Sequence, residues 1–293
     1  MSMGHYRVVS GKLIVAARQS PDGDSMRFVP DDISHLEDLP HYRAPRESDS
    51  HQSFQLRFQA IDTPELHYAG ACQPFGLEAR DGLLDWLGID HSTWDWVVAP
   101  KDFYHEMPAQ ILCDGFESHG RPISFVFLDA PGKDGSEIKL TKRILQQSFN
   151  HHAAKAGLAY LGLYAGGLSP DIRATMVEAY LGAKHDELGL WKLDESTQFK
   201  VETLEDLTQG RGTLIYPKIF RRCVDGLRWA NGVFEPGLDL DDFLQSTPRE
   251  NDAVHVADHA GHVLKLHLSD LVVQENNEVR ITTDLNQVDF VSK

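Results

Sequence analysis

Residues 54–61 constrain the fold more than any other stretch. Phe54, Leu56 and Phe58 alternate with Gln55, Arg57 and Gln59. A period of two puts the apolar side chains on one face and the polar ones on the other, the pattern of a strand with one buried face. The alternation runs into Ile61-Asp62-Thr63-Pro64-Glu65. Pro64 has no amide hydrogen to give to a ladder, so the strand must stop here. Whatever fold forms must therefore carry an arginine within this strand and two carboxylates at its end.

Other stretches add to this frame. Tyr6–Ala17 reads as a first strand, Ser20-Pro21-Asp22-Gly23-Asp24 as a turn, and Ser25–Val29 as a second short strand. Pro30–Ser53 holds three prolines and many charges, and reads as a long surface loop with a short helix near Ile33–Leu39. Trp94–Ala99, Ala109–Cys113 and Ile123–Leu128 read as further strands. Glu78–Leu87 is expected to be a helix, with Leu77, Leu83, Leu84 and Leu87 on one face and Gly88 closing it. Leu140–Gly157 and Pro170–Gly189 are the other expected helices, the second with Ser169 as N-cap and Pro170 at its first position. After Trp191 the pattern changes. Val201–Gly226 mixes short helix and loop, and Val263–Leu268 and Val279–Thr283 read as strands. The expected division is 1–195 for the main domain and 196–293 for a smaller α+β extension.

Composition narrows the classes. Hydrophobic residues make up 41% of the 293, enough for a core. No stretch approaches the roughly 20 apolar residues that span a bilayer, and the first residues lack the pattern of a signal peptide. A cytoplasmic protein with no membrane partner is the expectation. Cys72, Cys113 and Cys223 are too few and too scattered for a disulfide framework, and read as reduced thiols. The net charge is -16, unfavourable for gripping a polyanion. Residues 1–195 hold 18 Lys and Arg against 28 Asp and Glu, and the remainder 10 against 16, so neither part is basic. A nucleic-acid groove would have to be locally basic, or the substrate short or single-stranded.

Three polar clusters carry the candidate chemistry: Asp22-Gly23-Asp24, then Arg57 with Asp62-Thr63-Pro64-Glu65, then Gly120-Arg121. Carboxylates on turns at strand ends suit a hard cation that takes oxygen ligands. Each cluster also has an ordinary reading. Asp-Gly-Asp is a common turn, and Asp-Thr-Pro-Glu is a good helix start.

The order and spacing of the whole set resembles the staphylococcal nuclease family over about residues 6–193. The matching features are the Asp-Gly-Asp turn, the strand with Arg57, the Asp-Thr-Pro-Glu run five residues later, a helix beginning near Phe75-Gly76, and the strand start at Gly120-Arg121. Ala156-Gly157-Leu158-Ala159 and Leu188-Gly189-Leu190-Trp191 resemble the ends of that family's second and third helices.

The resemblance implies a five-stranded OB-fold β-barrel flanked by helices, and a calcium-dependent nuclease that hydrolyses phosphodiester bonds of DNA or RNA. It implies Asp24 and Asp62 as calcium ligands through their carboxylates and Thr63 through its carbonyl, with Asp22 as a nearby carboxylate. Glu65 would hold a water and act as general base, and Arg57 and Arg121 would clamp the phosphate. Such a division of labour is chemically sound, because guanidinium forks match the phosphate oxygens on which charge builds during attack.

Some positions depart from the family pattern. Ser118 and His119 stand where the type member has a Lys-Tyr pair contacting a terminal phosphate, which makes His119 the candidate substrate contact there. Tyr160 and Tyr164 lie where that family packs a nucleotide, and either stack on a base or fill the core. The type member is basic; this chain is acidic. A second function class remains open, a non-catalytic nucleic-acid or protein-binding module on the same barrel, and so does a protein partner for residues 196–293. Lys218, Arg221, Arg222 and Arg228, interleaved with Tyr216, Phe220 and Trp229, either extend a nucleic-acid track or dock a basic helix face on the acidic body. His255, His259, His262 and His267 have a spacing that can bind zinc, but with no cysteine nearby they read as surface histidines.

Overall fold

β1 (His5–Ala16) is twelve residues long and buries Tyr6, Val8, Val9, Leu13 and Val15. It pairs antiparallel with β2 (Arg27–Pro30) on one side and, from Arg7 to Ala16, with β6 (Tyr104–Phe116) on the other. β6 pairs in turn with β7 (Pro122–Phe127), with a bulge at Asp114 between Cys113 and Gly115. The structure, a computed structural model, describes residues 4–45, 52–94, 98–257 and 262–291.

The alternating stretch behind Phe54 forms three short strands with three different partners. β3 (Phe54–Gln55) pairs with β2, β4 (Arg57–Phe58) pairs parallel with β7, and β5 (Ala60–Asp62) pairs with β9 (Tyr160–Gly162). The sheet path runs β3-β2-β1-β6-β7-β4, with β8 (Glu137–Lys139) added to β1. The two ends of that path, β3 and β4, are separated only by Leu56. A trans chain advances about 3.8 Å per residue, so the sheet must curl until its edges almost meet. The result is a nearly closed, barrel-shaped sheet in a mixed α+β structure. The expected single strand over 54–61 is therefore corrected: Ala60 takes a left-handed φ of 67° and turns the chain from one sheet to the next.

The helices are α1 (Ser34–Glu37), α2 (Gly76–Trp86), α3 (Lys142–Leu145), α4 (Phe149–Ala156) and α5 (Pro170–His185). The single helix expected over 140–157 is two. Ser148 ends the first, its hydroxyl donating to the Leu145 carbonyl, and caps the second, accepting from the His151 amide. α5 stops at His185 rather than Gly189, and Gly189–Lys192 forms a 3-10 turn. Gly189 is needed there: a Cβ would lie 2.2 Å from the Gly157 carbonyl oxygen. The two helix ends singled out in the sequence thus meet backbone to backbone, with Leu190 N donating to Gly157 O at 2.9 Å. The strand expected at Trp94–Ala99 lies partly outside the described residues.

Beyond residue 195 come β10 (Gln198–Lys200), α6 (Pro217–Trp229), α7 (Leu240–Ser246), β11 (Ala253–Ala257), β12 (Val263–His267), β13 (Val272–Glu275), β14 (Glu278–Ile281) and β15 (Val288–Phe290). They make two three-stranded sheets, β10-β14-β13 and β12-β11-β15. Buried side chains on both sides of residue 195 belong to one apolar cluster. Polar ties cross it as well. The Phe290 amide donates to Leu163 O and the Ala165 amide to Phe290 O, both at 2.9 Å. Tyr216 Oη donates to Leu161 O at 2.9 Å. Among the described residues no helix is long and apolar enough to cross a membrane, and all three cysteines are free, Cys113 and Cys223 buried.

Candidate phosphate and cation site

Backbone hydrogen bonds bring the first two polar clusters together. Phe58 N donates to Asp24 O at 3.0 Å and Leu56 N to Met26 O at 2.8 Å, so the Asp22–Asp24 turn lies against the strand that carries Arg57. The turn also rests on the start of α2 and on Thr63. A Cβ at Gly23 would stand 3.0 Å from both Ala79 and Thr63 Cγ2, so any larger residue would push the turn back by a few tenths of an ångström. Register does the same for Arg121. Arg57 pairs with Ile123 across β4 and β7, and Arg121 lies two residues ahead of Ile123, at the same end of the sheet.

Two buried amides that sequence reading missed fix the frame. Asn150 on α4 accepts from Val126 N and donates to the carbonyls of Gln59 and Ser124, at 2.8–3.1 Å. Gln73, fully buried, accepts from Glu65 N at 2.9 Å and donates to Ile215 O at 2.8 Å, while its own amide donates to Glu65 O at 2.8 Å. Glu65 is thus tied through Gln73 to the segment before α6.

The electrostatics confirm that the groups share one neighbourhood. Burial, and then the charge on Asp24, pushes Asp22 well above the usual carboxylate range. Asp24 is also raised, by burial and by Asp62, against the opposing pull of Arg57, Arg221 and Arg121. Burial raises Glu65 to about 7, opposed by Arg221 and reinforced by Asp62 and Asp24. Asp62, only 3% exposed, goes the other way: burial would raise it, but Arg221 and Arg57 outweigh burial and hold it below the ordinary value.

Arg57 donates to Tyr164 Oη at 3.1 Å, and its guanidinium lies 5.4 Å from the centre of that ring. Lys218 Nζ stands 5.8 Å from the same ring centre. Arg121, about a third exposed, keeps its Nε on Glu117 at 3.1 Å.

The residue that the sequence left least legible is Arg221 on α6. It donates to both oxygens of Asp62, at 3.3 and 2.8 Å, and to Oε1 of Glu65. Two residues of the basic patch dock on the first part of the chain: Arg221 on Asp62 and Glu65, and Arg228, which donates to Ala69 O. Arg222 instead pairs within the second part, with Asp252, Glu250 and Asp225.

Asp22, Asp24, Arg57, Asp62, Thr63 and Glu65 are therefore brought together, with Arg121 at the rim. Tyr164 joins them through Arg57. Tyr160 does not: it is 1% exposed, donates to Asp194 at 2.8 Å and packs edge-on against Trp191 and Tyr216. Of its two readings, filling the core is the one observed. His119 is exposed on the Glu117 turn, 2.9 Å from that carboxylate. His255 and His267 lie on the paired strands β11 and β12, and His259 lies outside the described residues.

The donor set fits a hard cation in kind. It is all oxygen, and buried Oδ1 of Asp22 has no hydrogen-bond partner among the described residues. In arrangement, Arg221 already holds Asp62 and Glu65, and no three acidic, histidine or cysteine side chains among the described residues converge on one metal position. No protein-family model matches the chain, and no curated protein sequence matches it.

Proposed function

We propose that the chain is a calcium-dependent nuclease of the staphylococcal nuclease type, built on an OB-fold barrel and acting on phosphodiester bonds of DNA or RNA. The observation that carries the reading is the Phe58–Asp24 backbone bond. It sets the Asp-Gly-Asp turn beside Arg57, in the same neighbourhood as Asp62 and Glu65.

Asp24 and Asp62 would hold the cation, with the Thr63 carbonyl and Asp22 beside them. The bound ion would neutralise charge on the phosphate and lower the pKa of a water. Among the described residues Arg57 makes one side-chain hydrogen bond, to the Tyr164 hydroxyl, so its remaining N–H groups can take phosphate oxygens. Arg121 adds a second fork at the rim. Tyr164 orients Arg57 and offers a ring edge to a nucleotide. Glu65, raised to about 7, suits a general base, because a base works best with a pKa near the working pH. The net charge is -16, which favours single-stranded or short substrates over long duplex.

The test is cleavage of single-stranded DNA with calcium and with a chelator. Cleavage should need calcium, and Arg57→Ala or Glu65→Ala should cut the rate by about 10²–10³-fold with the fold unchanged by circular dichroism. Turnover that is absent with every divalent cation tried would overturn the reading. The Arg221 contact favours a second reading, a barrel that binds nucleic acid or protein without cleaving. Binding of a labelled oligonucleotide without turnover would select it.

A further inference from the structure

Arg221 sits on the two carboxylates that a divalent cation and its water would use. Its partners Asp62 and Glu65 lie 159 and 156 residues away in sequence, on the strand end behind Arg57. The helix that delivers it does not need that contact to stay in place. Arg222 Nε lies 2.8 Å from Asp252 Oδ2, Tyr68 Oη donates to Asp225 at 2.7 Å, and Ile219, Phe220, Cys223 and Val224 are buried. Beside the contact, Oδ1 of Asp22 is buried with no partner among the described residues. A guanidinium placed on Asp62 and Glu65 does not reach that oxygen.

We propose that Arg221 is a tethered cation that closes the site. It competes with a divalent cation for Asp62 and Glu65, and the site loads only when the Arg221 side chain swings away while α6 stays docked. The inference rests on the nuclease reading for the ligand it governs. The physical basis is exclusion of like charge. A guanidinium and a divalent ion cannot share the same two carboxylates, and like charges repel more strongly at buried positions than in open solvent. The cation's apparent affinity is then its intrinsic affinity reduced by the fraction of molecules with Arg221 withdrawn. A long flexible arginine on an independently anchored helix can make that move without unfolding anything.

The experiment is calorimetric titration of calcium into the full chain and into Arg221→Gln, with cleavage of single-stranded DNA assayed separately. The variant should bind calcium about tenfold or more tightly, as expected when a competing charge leaves a low-dielectric pair. Equal or weaker binding by a folded variant overturns the proposal, and so does a failure of both proteins to bind calcium. If Arg221→Gln does not fold, Arg221→Lys decides. It keeps the charge but loses the two-pronged grip, so its calcium affinity should rise several-fold, and an unchanged affinity overturns the proposal. Tighter calcium binding without cleavage by either protein would keep the latch and reject the nuclease. Calcium-dependent cleavage with matching affinities would do the reverse.

Discussion

Arg221 and Arg222 are neighbours on α6, and each meets a cluster of carboxylates, yet the two clusters are built on opposite principles. Arg222 takes its partners from nearby chain: Asp225 one turn on, Glu250 at 2.5 Å, and Asp252 at 2.7–2.8 Å. Each of those carboxylates has a defined donor, and Lys218 adds a second one to Asp252 at 3.5 Å. Arg221 reaches across the molecule to Asp62 and Glu65, beside Asp22, whose Oδ1 has no hydrogen-bond partner among the described residues, and Glu65 is raised to about 7. A fully satisfied ion cluster holds a fold together. A cluster left short of partners is poised for a ligand.

Substitutions should separate the two. Arg222→Ala leaves nearly buried Asp252 without its main cation, and should cost about 3 kcal/mol or more in urea unfolding. Calcium should restore none of it. Arg221→Gln should cost less in chelator, because Arg57 and Lys218 still act on Asp62 and the amide keeps a donor for it. That loss should be recovered when calcium is added, as binding to the folded state requires. If Arg221→Gln proves the more damaging of the two and calcium does not rescue it, the distinction fails.

The smallest effect concerns a carboxylate outside both clusters. Asp114, on the bulge of β6, is pushed up to about 6 by burial, against a usual value of 3.8. The folded chain then holds this proton more tightly than the unfolded one. Its contribution is present below pH 3.8 and is lost as pH rises toward about 6. Asp114→Asn should therefore be more stable than the parent above pH 6 by about 1 kcal/mol, with the gap closing toward pH 4 in parallel urea titrations. A gap that widens as pH falls would contradict this.

Much of the first half of the molecule could be read from pattern, because alternation and caps are local. β1, β7, α2 and the Asp-Gly-Asp turn follow from side-chain order alone. Where reading failed, the deciding force was tertiary. The strand over 54–61 splits because Ala60 adopts a left-handed φ to serve two sheets, and nothing about alanine announces that. The helix over 140–157 splits at Ser148, a capping residue that was visible but outweighed by the apolar period around it. At the site, the residue types at Asp24, Arg57, Asp62 and Glu65 were legible, and so was a basic face on α6. Which arginine of that face would land on which carboxylate was not. Arg221 and Arg222 differ by one position and about 100° around a helix, and only the docking angle of α6 sends one to Asp62 and the other to Asp252. Asn150 and Gln73 were invisible for the same reason, since their value lies in backbone groups far along the chain.

The near closure of the barrel sheet also governs how the protein behaves in concentrated solution. Because β3 and β4 sit at opposite ends of the strand path and are joined through Leu56, the outer rims of that sheet are consecutive pieces of chain. Neither presents a long flat ladder on which another molecule could grow. The sheet β12-β11-β15 has no such protection, since β12 ends it with Val263 59% and Leu264 45% exposed. Self-association through strand addition would therefore begin at residues 263–267 and spare the barrel, and a lysine at 263 would be the simplest guard against it.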